Sequence, residues 1–210
     1  MELRDKVIWI TGASSGIGKS LALLAGRKGA RLILSGRNTD RLQEVQKALP
    51  DKAQSQILPM DLADLKSLKG IAEEALKCFG SLDILINNAG ISQRSLIADT
   101  DIEVYQQLIQ VNYMGTIALS KAILPYFIQR GGGQYVVVTS LMGKFGSPFR
   151  SGYCGAKHAL HGFFDVLRME HQKDGIVVTL VCPGFVNTDV ARNALTGDGS
   201  AQSQQDTATS

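Results

Sequence analysis

The chain has 210 residues, 44% of them hydrophobic and 20% charged, and a formal net charge of +3, a balance ordinary for a soluble globular protein of one domain with a sizeable core. No run of Lys and Arg marks a nucleic-acid surface, and no stretch has a signal-peptide pattern or the length of a membrane span. The three cysteines, Cys78, Cys154 and Cys182, are too scattered for a metal spacing or a disulfide framework, so free thiols in a reducing cytoplasm are expected and no metal is.

Short β-rich runs recur along the chain at 6–11, 31–36, 54–60, 82–88, 134–140 and 176–182, and stretches of helical apolar spacing lie between them at 17–28, 39–48, 64–79, 101–129 and 153–171. Strand and helix in strict alternation predict βαβ crossovers and a parallel sheet. The strands are nearly continuous in apolar residues, as they are when helices cover both faces. After Asp189 the character changes, and residues 197–210, GDGSAQSQQDTATS, small and polar, read as a mobile loop or a frayed tail.

The first strand, KVIWIT, runs into TGASSGIGKS (11–20), with Gly12, Gly16 and Gly18 at the hand-over to a helix. A tight strand-to-helix turn needs residues without a Cβ, and so does a pyrophosphate approaching the backbone. The helix N-terminus then offers unpaired N–H groups to the phosphates. The bland alternative is a turn that only packs the helix on the sheet. The Lys19-Ser20 pair is no triphosphate loop, since the four residues that loop places between its glycines are absent.

The second strand ends in LSGRN (34–38). A free ribose 2′-hydroxyl is usually held by an acid near this point. Here stand Ser35, Gly36 and Arg37, and an arginine suits a 2′-phosphate. NADP(H) is therefore favoured over NAD(H), against the alternative that Arg37 is an ordinary loop charge.

Later in the chain SGYCGAKHALHGFF (151–164) carries Tyr153 and Lys157 one helical turn apart on one face. By itself the pair could be a core tyrosine beside a snorkelling lysine. It gains company from Thr11-Gly12-Ala13-Ser14-Ser15-Gly16-Ile17-Gly18, Asn87-Asn88-Ala89-Gly90, Asn112, Ser140 and Pro183-Gly184, all in order. From about residue 4 to 190 the chain resembles the short-chain dehydrogenase/reductase family, single-domain branch. ISQRSL (91–96) with GYCGAKHALHGFF looks most like its member 7 subgroup.

The resemblance implies a Rossmann-type α/β fold: a doubly wound parallel sheet in the order 3-2-1-4-5-6, usually followed by a seventh strand. It implies hydride transfer between a nicotinamide and a carbonyl or secondary alcohol. Asp61 would meet the adenine with Leu62 beside it, and Asn88 would line the adenosine side while also tying loops, a task left mainly to Asn87. Pro183, Gly184 and Thr188 would border the nicotinamide. Lys157 would also hold the nicotinamide ribose, and Asn112 a water leading from Lys157 to solvent, unless it is simply bonded to neighbouring backbone.

The chemistry agrees with these residue types. A tyrosine with an ordinary pKa is a poor acid–base group near neutrality, and a nearby positive charge lowers that pKa. Lys157 is expected to tune Tyr153 in this way, and Ser140 to hold the substrate oxygen, although alone Ser140 would read as a strand-end cap. His158, His161 and His171 read as helix-face residues.

Residues 1–190 are thus expected to form the dinucleotide-binding and catalytic domain. The chain stops at Ser210, inside what the resemblance implies is a substrate-covering loop, so 191–210 are expected to be a polar loop or truncated lid, with the last family strand missing. A homodimer or tetramer stays open, and contacts through the helices at 101–129 and 153–171 would give a dimer. The leading function is an NADP(H)-dependent carbonyl reductase or alcohol dehydrogenase on a small hydrophobic substrate. A non-catalytic dinucleotide-binding module or inactive fragment is the alternative. A dehydratase or epimerase would need a larger substrate domain.

Overall fold

A computed structural model describes residues 2–184, 186 and 192–202. Its centre is β1 (Val7–Thr11), whose residues are all buried. Side chains alternate across a strand, so Val7 and Trp9 enter one apolar cluster while Ile8 and Ile10 enter another on the opposite face. The two clusters are the two halves of the core. One is closed by α3 (Leu68–Phe79), α5 (Thr116–Gln129) and α6 (Ser151–His171), through residues such as Ala72, Phe127 and Phe164. The other is closed by α1 (Gly16–Arg27) and α2 (Thr39–Lys47), through Ala22, Leu42 and Val45.

Around β1 lie β2 (Arg31–Ser35), β3 (Ser55–Ile57), β4 (Ile84–Asn87), β5 (Gly133–Val138) and β6 (Ile176–Val181), all parallel, in the order β3-β2-β1-β4-β5-β6. This is the doubly wound order expected. Strand order reverses between β1 and β4, and the crevice beyond the strand ends at that point is where such sheets take ligands.

Three elements differ from the sequence expectation. β3 is shorter than 54–60 because Pro59 has no N–H for the ladder; Leu58 and Met60 still donate to Leu34 and Gly36 on either side of it. The helix at 64–79 begins only at Leu68. The long helix at 101–129 is α4 (Ile102–Ile109), a π-helical segment Gln110–Gly115, and α5. A π segment rotates the residues within it relative to a regular helix, and this one contains Asn112, buried at 1% exposure.

Beyond β6, Leu195 N–H donates to Ser92 O, Arg94 N–H donates to Leu195 O, and Gln202 N–H donates to Ala194 O. The start of the segment expected to be a mobile loop or frayed tail is thus fastened to the loop between β4 and α4 at Leu195 and Gly197, where Asp101 N–H reaches Gly197 O at 2.9 Å, and it folds back on itself through Gln202 and Ala194. Among the described residues no helix is long and apolar enough to cross a membrane.

Candidate active site

The glycine-rich turn is built by two strand ends. Thr11 Oγ1 accepts from the N–H groups of Asn88 and Ala89, both at 3.0 Å, and Asn88 Nδ2 donates to Thr11 O at 3.0 Å and Gly12 O at 3.2 Å. Asn88 therefore holds the turn in shape, while Asn87 Nδ2 donates inward to Ser120 Oγ. Gly12 has φ +65°, and a Cβ there would lie 2.8 Å from Ala89 Cα; a Cβ on Gly18 would run into the Gly12 carbonyl. Only glycine fits either position. At the start of α1 the Ser15 side chain makes no capping bond and the first turn holds no acid, which leaves the N-terminal amides facing outward for an anion.

This turn forms one end of a cleft of about 1090 Å3. Gly12, Ser14, Ser15, Gly16, Ile17 and Arg37 line that end; Asp61, Leu62 and Asn88 line its flank; Ser140, Tyr153, Lys157, Pro183 and Gly184 line the other end. Residues scattered over most of the chain thus meet in one space. Gly18 and Asn112 do not line it, and Thr188 lies outside the described residues.

Asn112 is held away from the cleft by its own bonds. Its Oδ1 accepts from Ile91 N–H and its Nδ2 donates to Ile91 O, both at 2.8 Å. The side chain fastens the loop after β4, the backbone-bonded alternative raised by its sequence context. It still faces Lys157 across Gly90: a Cβ on Gly90 would lie 2.9 Å from Asn112 Oδ1 and 3.6 Å from Lys157 Nζ.

Ser140 has an extended backbone and its Oγ accepts from Met142 N–H at 3.1 Å. It is both the cap of a short turn and a wall of the cleft. Tyr153 is half-buried against Val104, Leu108 and Leu195. Burial pushes its phenol above the ordinary value, while the facing Ser140 hydroxyl and the Arg150 guanidinium pull it down and Cys154 pushes it up. The sequence expectation that Lys157 sets the phenol low therefore needs correction for the free chain. The Lys157 ammonium sits 5.7 Å from the centre of the Tyr153 ring and is itself depressed to about 8 by burial.

Sequence reasoning missed several wall residues. Arg41 joins Arg37 at the turn end, Arg150 and Ser92 stand near Tyr153, and Leu195 and Ala201 add to the wall. A signal for Arg150 existed, three positions before Tyr153; for Leu195 none did, because its place depends on a long-range pairing.

The comparisons with known proteins agree with this geometry. Residues 6–198 match the family profile described as short chain dehydrogenase. The chain is 43% identical over 203 residues to dehydrogenase/reductase SDR family member 7B of Mus musculus, covering 94% of this chain and 63% of the relative. It is 43% identical over 203 residues to member 7 of Homo sapiens, covering 94% and 60%. The chain thus spans less than two thirds of the length of these relatives. Among solved structures, a short-chain dehydrogenase/reductase from Burkholderia phymatum in complex with NAD superposes with TM-score 0.86 at 25% identity, covering 91% of this chain and 69% of the other. A short-chain dehydrogenase from Streptomyces avermitilis gives 0.83 at 31% identity, covering 91% and 70%. With its sheet order, glycine-rich turn and Tyr153–Lys157 helix in place, this chain belongs to the short-chain dehydrogenase/reductase family, on the side of it that resembles members 7 and 7B.

Proposed function

We propose that the protein is an NADP(H)-dependent oxidoreductase acting on a hydrophobic ketone, aldehyde or secondary alcohol. The observation that carries the reading is the convergence of the open α1 N-terminus with Ser140, Tyr153 and Lys157 in one cleft. The residues present fit a dinucleotide: glycines let a pyrophosphate reach the backbone amides at one end, and the polar triad faces the other. A bound nicotinamide supplies or accepts the hydride.

The chain's own residues handle the oxygen and the proton. Ser140 Oγ holds the substrate oxygen and stabilises charge developing on it. Tyr153 gives its phenolic proton to that oxygen during reduction and takes it back during oxidation. Lys157 orients the ribose and favours the phenolate when its charge is held toward the ring. Asn112 acts by holding Ile91 and, with it, the loop beside Lys157.

The preference for a 2′-phosphate is supported by Arg37 and Arg41 at the turn end. Ser35 offers a ribose little, since its hydroxyl donates to Leu58 O and accepts from Trp9 Nε1. The hydrophobic substrate is supported by Ile91, Met142, Val186 and Leu195 in the cleft wall.

Titrating the chain with NADPH and NADH, following nicotinamide fluorescence, tests the cofactor half; tighter NADPH binding is expected. Turnover is then screened on hydrophobic ketones with wild type and Tyr153→Phe. Loss of about a hundredfold or more in the variant, with NADPH binding kept, is expected. Cofactor binding with no turnover by the wild type on any carbonyl would favour a non-catalytic module.

A further inference from the structure

The loop after β4 and the start of α6 are joined by a reciprocal clasp. Arg150, at the cap of α6, is only 8% exposed. Its Nη1 donates to Ser92 Oγ at 2.8 Å and to Gln93 O at 3.2 Å. In return Gln93 Oε1 accepts from Gly152 N–H at 2.8 Å, capping the first turn of the helix. Gln93 is fully buried, and its amide nitrogen donates onward to Ser95 Oγ and Thr100 Oγ1. Ser92 and Arg150 line the same cleft as Tyr153.

We propose that Arg150 is a positioning residue for the reaction: it fastens the loop carrying Ser92 to the start of α6 and holds a fixed positive charge one helical turn before Tyr153. This rests on the reading of Tyr153 as the proton donor. A guanidinium fork bound at two oxygens is held in place. A charge so fixed acts on the half-buried phenol beside it more than it would in open water. Lys157, by contrast, spends a hydrogen bond on Val138 O in the free chain.

Among the described residues, the charged groups that bear on the Tyr153 phenol are Arg150 and Lys157, and the titratable ones beside it are Cys154 on α6 and Tyr105 on α4, whose hydroxyl bonds Ser151 Oγ at 2.9 Å. The loop after β5 contributes the Ser140 hydroxyl, and α4 contributes apolar Val104 and Leu108. Removing the positive charge at Arg150 disfavours the phenolate and so moves the phenol's titration upward.

The test is an alkaline titration of tyrosinate absorbance. The difference between wild type and Tyr153→Phe isolates this phenol; the same difference is measured in the Arg150→Gln and Arg150→Lys backgrounds. Arg150→Gln is expected to shift the midpoint upward by about half to one pH unit, and Arg150→Lys to restore at least half of the shift. Coincident curves for wild type and Arg150→Gln overturn the proposal. Ser92→Ala keeps the charge and removes one bond of the clasp, and it decides the matter if Arg150→Gln does not fold. It should lower kcat about three- to tenfold on the ketone best used by wild type, with NADPH affinity kept; unchanged kcat overturns the clasp. Retained turnover in Tyr153→Phe would instead sink the reading of Tyr153 and this proposal with it. Lost turnover there, with coincident titration curves, removes Arg150 alone.

Discussion

The Lys157 ammonium donates a 2.9 Å hydrogen bond to the carbonyl of Val138, the last residue of β5. A cation from the helix is thus tied to the end of β5 at the cleft, next to Thr139 and Ser140. The bond satisfies one of three ammonium donors, and burial still disfavours the charge.

That burial makes stability depend on pH. Lys157 titrates near 8 in the folded chain against 10.5 for an ordinary lysine. Between these values the unfolded chain binds more protons, so the Lys157 contribution rises as pH rises through that window. Below the window the charge is present in both states and its burial cost is felt in full. Thermal melts of wild type and Lys157→Met across this range should show wild type gaining Tm relative to the variant as pH increases. A constant gap between the two curves would contradict the buried-charge account.

Arg37 provides a test of cofactor choice. Arg37→Asp places a negative charge at the turn end of the cleft. NADPH affinity should fall about tenfold to a hundredfold, the scale of one charged hydrogen bond, and NADH affinity by less than about threefold. Equal losses, read by fluorescence titration, would remove Arg37 from any 2′-phosphate site.

Gly12 combines a left-handed backbone with a close approach to Ala89. Gly12→Ala should cost about 1–3 kcal/mol in denaturant unfolding, from strain and overpacking together. It should also weaken binding of both dinucleotides alike, since it displaces the turn rather than the 2′-phosphate end. Wild-type stability in the variant would show that the turn can relax.

Asp83 joins the opposite end of the sheet. Its Oδ2 accepts from Val7 N–H at 2.8 Å, its Oδ1 from Arg130 at 2.9 Å, and Lys6 lies 3.6 Å away. Burial pushes its carboxyl up, but the Val7 amide, Arg130 and Lys6 more than reverse this and leave it below the ordinary value. The stability it contributes is therefore present above the ordinary carboxylate range and is lost as pH falls through the folded value. Asp83→Asn should cost about 1–3 kcal/mol at neutral pH. The gap to wild type should close in acid; a gap unchanged at low pH would mean that the charge plays no part.

Much of this protein was legible in its sequence because the signals are local. Six apolar runs alternating with helical spacing suffice for a parallel sheet. The glycines at 12, 16 and 18 mark the turn: a Cβ at 12 or 18 would run into neighbouring backbone, and Gly16 takes a left-handed φ of 50°. The four-residue spacing of Tyr153 and Lys157 placed them on one helix face. Only the tertiary structure decided what surrounds those residues. It turned Asn112 inward to Ile91 through a π segment, set Lys157 against Val138, and buried Tyr153 enough to raise its phenol. It also brought Ser92, Gln93 and Arg150 into one clasp across more than fifty residues of chain. Burial and hydrogen-bond partnership are properties of packing between distant segments, so no window of sequence contains them.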